Sequence, residues 1–91
     1  MRKIAETTSK LELINSHATE ITVHIEPWGD QYVMAPDVTF QIEARGPANG
    51  QLEICIGPGE VLVWGWSGSI VSIFHEGVDL DEGLGPRQPS P

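Results

Sequence analysis

Ile21-Thr22-Val23-His24-Ile25-Glu26-Pro27-Trp28-Gly29-Asp30-Gln31-Tyr32 decides the fold. Ile21, Val23 and Ile25 alternate with Thr22, His24 and Glu26, a period of two that makes a strand with one apolar and one wet face. Pro27-Trp28-Gly29-Asp30 then interrupts the run. Proline presets its own φ and Gly29 is free to take a positive one, so the chain turns back into a short strand around Tyr32 to Met34. The unit is a hairpin.

The same period continues outward in both directions. Leu11 and Leu13 alternate with Lys10 and Glu12 on the N-terminal side. Beyond the hairpin, Val38, Phe40, Ile42 and Ala44 alternate with Thr39, Gln41, Glu43 and Arg45, and Leu52, Ile54 and Ile56 with Glu53 and Cys55. Turn signals separate these runs at Ala35-Pro36-Asp37, Gly46-Pro47-Ala48-Asn49-Gly50, Gly57-Pro58-Gly59-Glu60, Ser67-Gly68-Ser69 and Glu76-Gly77. The Asn49-Gly50 dipeptide predicts a hairpin between the runs on either side of it. Nine Ile, seven Val and five Thr suit a pleated surface, and no segment of ten residues carries a helical apolar pattern. The expectation is an all-β chain, an antiparallel β-sandwich or flattened barrel of seven to eight strands, with cupredoxin-like and jelly-roll-like arrangements both open.

The 91 residues make a single domain, expected over 8–82. Residues 1–7 are expected to be a flexible N-terminus, and 83–91, Gly-Leu-Gly-Pro-Arg-Gln-Pro-Ser-Pro, a disordered tail. One cysteine, Cys55, excludes an intrachain disulfide. No apolar run approaches the roughly 18–20 residues of a membrane helix, and Met1-Arg2-Lys3-Ile4 is not followed by the apolar stretch of a signal peptide. A cytoplasmic domain is the expectation.

The net charge is −8. Between Lys10 and Arg87 the only Lys or Arg is Arg45, against twelve carboxylates. A surface of that sign repels phosphate, which disfavours direct nucleic-acid binding and anionic membranes. Basic partners, cations, or no role beyond solubility remain, and solubility is the commonest reason for net charge.

Val61-Leu62-Val63-Trp64-Gly65-Trp66 is apolar on both faces, with Leu62, Trp64 and Trp66 on one of them. An apolar outer face needs cover. A second sheet or the N-terminal segment of the same chain, a second copy in a homodimer, and a ligand stacking on Trp64 and Trp66 all answer that need. Trp28, at a tight turn, either folds back over the sheet edge or meets a partner. Trp28, Leu62, Trp64 and Trp66 are therefore the candidate partner or ligand surface.

Signals for chemistry are weak. His17, His24, His75 and Cys55 lack metal-site spacing, so neither metal nor cofactor is expected. Asp79-Leu80-Asp81-Glu82-Gly83 has its glycine one place too early for a calcium loop and reads as a solvated acidic exit. Trp66-Ser67-Gly68-Ser69 is not a nucleophile elbow, and Gly57-Pro58-Gly59 lacks the N–H groups and helix of a phosphate cradle. No catalytic residue is named, and the chain is expected not to be an enzyme.

Glu26-Pro27-Trp28-Gly29, the aromatic Tyr32, the Pro36-Asp37 turn and Val63-Trp64-Gly65-Trp66 together resemble a group of short uncharacterised bacterial proteins over residues 11–82. The shared motifs are turn and packing residues, so the resemblance implies an all-β fold in a bacterial protein and no activity. Strand order similar to cupredoxin-like sandwiches is compatible with it, although that family's metal ligands have no matching positions. The expected function is a small non-catalytic binding or protein-interaction module that self-associates through the Trp-bearing face. The alternatives are a small-ligand or carbohydrate module using Trp64 and Trp66, and an acidic nucleic-acid mimic that inhibits a basic partner.

Overall fold

The computed structural model describes residues 5–81 and 87–91. Among these the regular elements are eight strands: β1 (Glu6–Ile14), β2 (Ile21–Glu26), β3 (Asp30–Met34), β4 (Thr39–Pro47), β5 (Glu53–Gly57), β6 (Glu60–Trp64), β7 (Ile70–His75) and β8 (Val78–Asp79). They form two four-stranded sheets, ordered β1-β4-β7-β8 and β3-β2-β6-β5. The fold is an all-β sandwich. No described helix is long and apolar enough to cross a membrane.

Alternation builds the core as the period of two requires. Ile21, Val23 and Ile25 of β2 and Val63 of β6 point inward from one sheet; Phe40, Ile42 and Ala44 of β4 and Val71 and Ile73 of β7 point inward from the other. Met34 completes the buried cluster. All but Met34, which ends edge strand β3, come from interior strands with a neighbour on both sides, and apolar area removed from water there stabilises at about 25 cal/mol per Å².

Four sequence expectations are corrected. The Asn49-Gly50 turn closes no hairpin, because β4 lies in one sheet and β5 in the other. The dipeptide reverses the chain locally but does not choose the sheet; residues 48–52 carry the chain across. Pairing is antiparallel except between β2 and β6, which run parallel from Thr22 opposite Glu60 to Glu26 opposite Trp64. A parallel neighbour needs a long crossover, and the excursion through β3, β4 and β5 supplies it. Residues 5–7 do not form a loose terminus: Glu6 pairs with Pro47 and Thr7 with Gly46, while Ala5 accepts a bond from Ala48. Residues 1–4 lie outside the described residues.

Residues 87–91 are not a disordered tail. Ser90 is buried and exchanges two backbone hydrogen bonds with the β6–β7 connection, its N–H donating to Ser69 O at 2.8 Å and its carbonyl accepting from Gly68 N at 2.8 Å. Composition alone said proline-rich and aperiodic; it could not show that Arg87 has two carboxylates waiting for it. Residues 83–86 of that expected tail are outside the described residues.

The short hairpins hold as expected. Pro27-Trp28-Gly29 joins β2 to β3, with a cis Glu26–Pro27 bond and Gly29 at φ 81°. Glu76 and Gly77 join β7 to β8 with φ of 52° and 80°, the paired positive values of the turn that matches strand twist.

Candidate functional site

The four candidate residues do not form one surface. Trp64 ends β6 on the outer face of its sheet, 37% exposed, in register with Glu26 of β2 and Glu53 of β5. Leu62 shares that face, half-buried between His24 and Cys55. Trp66 turns the other way: it packs against the core, lies over Gly50 and donates its indole N–H to Pro47 O at 2.8 Å. A Cβ on Gly50 would stand 1.8 Å from Trp66 Cδ1, so the ring sits where only glycine leaves room. Trp64 and Trp66 therefore make no common stacking platform. Trp28 also packs on the core, its ring edge 3.2 Å from where a Cβ of Gly65 would be, and donates to Gln88 O at 2.7 Å. Trp28 folds back, as one of its two expected fates.

Carboxylates border the outer face of β6. Glu26 and Glu53 flank Trp64, and Glu60 lies on the same side of β6 as Leu62. His24 Nε2 stands 3.2 Å from Glu60 Oε2 without hydrogen-bonding alignment.

The edge strand β5 was missed as a candidate. By its register opposite Val63 and Val61, Ile54 and Ile56 project toward the interior side of the sheet, yet they are 37% and 81% exposed. Alternation along 52–56 identified an inward face; it could not show that β5 would be an edge strand whose inward-side residues stay exposed. Of the six large hydrophobics exposed among the described residues, Ile54, Ile56 and Trp64 lie on β5 and β6, and the other three are scattered. Cys55 is exposed and free.

A second constellation sits at the end of the sandwich beside the β2–β3 turn. Arg87 Nη2 lies 2.6 Å from Asp30 Oδ2 and 2.7 Å from Asp81 Oδ2, its guanidinium carbon is 5.0 Å from the centre of the Trp28 ring, and Nη1 donates to Val71 O. Tyr32 donates its hydroxyl to Asp81 Oδ1. The Arg87 side chain is only 7% exposed. Burial pushes the Asp81 carboxyl above its ordinary 3.8, against the lowering effect of Arg87 and with a smaller push from Asp30. The expected solvated acidic exit is thus, at Asp81, a half-buried ion pair. The signal that could have found it is scarcity: Arg87 is the only Lys or Arg after Arg45.

A cleft of about 470 Å³ between β3, β4 and β7 is lined by Tyr32, Val38, Phe40 and His75, the last two rings edge to face at 5.6 Å. Among the described residues no three His, Cys, Asp or Glu side chains converge as a metal site would need. Comparison with protein families, curated proteins and solved structures finds no match to this chain.

Proposed function

We propose that the protein is a small, non-catalytic, cytoplasmic protein-interaction module that self-associates through β5 and the adjoining Leu62–Trp64 strip. The observation that carries this reading is Ile56, an inward-side residue of a core sheet left 81% exposed at its edge. An edge strand invites pairing unless charge, proline or a bulge blunts it, and between Glu53 and Gly57 the only charge is Glu53.

The occupant is a second copy. Antiparallel pairing of β5 with its own counterpart about a two-fold axis at Cys55 sets Ile54 against Ile56 and Glu53 against Gly57. No carboxylate opposes another, which matters because like charges directly across a ladder destabilise it. The pairing continues sheet β3-β2-β6-β5 into the partner and covers four isoleucines. The exposed thiol suits a reducing compartment, and the net charge of −8 argues against phosphate-bearing partners.

Light scattering on the eluting protein tests the reading. The wild type runs as a dimer; Ile56→Glu weakens dimerisation at least about 10-fold, roughly 1.4 kcal/mol, while leaving the fold intact because the site is exposed in the protomer. A wild type that stays monomeric throughout the micromolar range contradicts it.

A further inference from the structure

We infer that Trp28, Asp30, Tyr32 and Asp81, with the Val71 carbonyl, form an arginine-reading pocket at the head of a peptide-binding groove, and that Arg87 and the residues after it are its built-in occupant. The ligand class is an extended peptide of the pattern Arg-x-x-Ser, or with another small residue fourth, carried by a partner protein.

The division of labour among the contacts supports this. Arg87 is held through its side chain by every means a guanidinium offers: two carboxylates, a carbonyl and an aromatic face. The planar fork needs all of these, and a lysine ammonium could not reproduce them. The following residues are held through their backbone. Trp28 donates to the Gln88 carbonyl, and Ser90 exchanges N–H and C=O bonds with Ser69 and Gly68. The side chains of Gln88, Pro89 and Pro91 are exposed and Ser90 is buried, so the groove reads position one and restricts position four to a small side chain. Backbone bonds for affinity with pockets for alternate specificity are how sheet-edge peptide sites work.

The groove is also charged for its ligand. The two pocket carboxylates belong to a chain of net charge −8, which attracts a cationic peptide and steers its approach. Arg87 competes from within the same chain, at the millimolar effective concentration typical of a short tether, so a partner segment binds by displacing it. The inference does not depend on self-association through β5.

The test uses the full chain labelled with ¹⁵N and the synthetic peptide Arg-Gln-Pro-Ser-Pro, with Ala-Gln-Pro-Ser-Pro as control. Arg87→Ala binds the arginine peptide at least about 10-fold more tightly than wild type, because the competitor has lost its anchor. The Trp28 indole N–H resonance moves on binding, and that of Trp66, bonded to Pro47, does not. The alanine peptide binds neither protein. Equal binding of the two peptides, or no gain in affinity on Arg87→Ala, overturns the inference. Should Arg87→Ala fail to fold, the wild type decides: the unlabelled arginine peptide in millimolar excess displaces the labelled tail and shifts the Ser90 amide resonance, which loses its bond to Ser69 O, and an unmoved resonance overturns it.

Discussion

Asn15 shows what single side chains contribute outside the candidate surfaces. It follows β1 and is almost fully buried, and its side chain donates to the carbonyls of Thr19 and Met34 at 3.0 and 2.9 Å and accepts from His17 N at 2.9 Å. Its backbone also bonds Asp37 and Val38, so one residue ties the β1–β2 loop to the β3–β4 turn. Asn15→Ala leaves those partners without their bonds inside the fold. It should cost about 1–3 kcal/mol, read as a lower midpoint in urea at unchanged slope. A loss below about 0.5 kcal/mol would contradict that role. Asp81 gives the second residue-scale prediction. Its carboxyl is raised above 3.8, so the folded state holds that proton to higher pH than the unfolded chain does. The folded state then binds more protons in the range just above 3.8, and this group's contribution to stability falls as pH rises through it. Unfolding free energies of wild type and Asp81→Asn, measured across that range, should therefore shift in favour of the variant with rising pH. A flat difference, or one moving toward wild type, would contradict the direction.

At the scale of elements, strands were legible and their partners were not. Period two in Ile21–Ile25 and Val38–Ala44 marked β2 and β4 because each has one face in the core and one in water. The same pattern in 52–56 is equally regular, although β5 is an edge strand whose inward-side residues Ile54 and Ile56 stay 37% and 81% exposed. Alternation reports which residues share a face, not what lies across from them. Turns behaved likewise: Pro27–Gly29 and Glu76–Gly77 are hairpins, whereas Asn49-Gly50 passes the chain to the other sheet. Of the three tryptophans, Trp66 departs from the face that alternation gives it, since it lies beyond the end of β6, where strand alternation no longer governs its direction. Pairing of β5 with its counterpart makes a prediction at this scale. Residues directly opposite in an antiparallel ladder have Cα atoms about 4.5–5.5 Å apart, within the span of a disulfide. Mild oxidation should link Cys55 to the same residue of a second copy, and Cys55→Ser should abolish the link while the dimer persists. A dimer that never cross-links would place the contact elsewhere and leave self-association standing.

Over the whole molecule, charge and topology act together. Two sheets with four strands each leave four edges, and β3 and β8 flank the end where Asp30, Asp81 and Arg87 gather. Residues 87–91 therefore shield one region of the sandwich, while Ile54 and Ile56 of β5 remain exposed. An acidic surface keeps such molecules apart by repulsion except where apolar area outweighs it, and the proposed self-association assigns that place to the exposed Ile54, Ile56 and Trp64. The tail went unread because its contacts are non-local: Arg87 meets Asp30, 57 residues earlier in the chain. Amide hydrogen exchange of the wild type at low and high protein concentration tests self-association through β5 most directly. The account predicts that the amides of β5 facing away from β6 exchange more slowly as concentration rises, while those of edge strand β3 do not change. Exchange in β5 that is independent of concentration would contradict it.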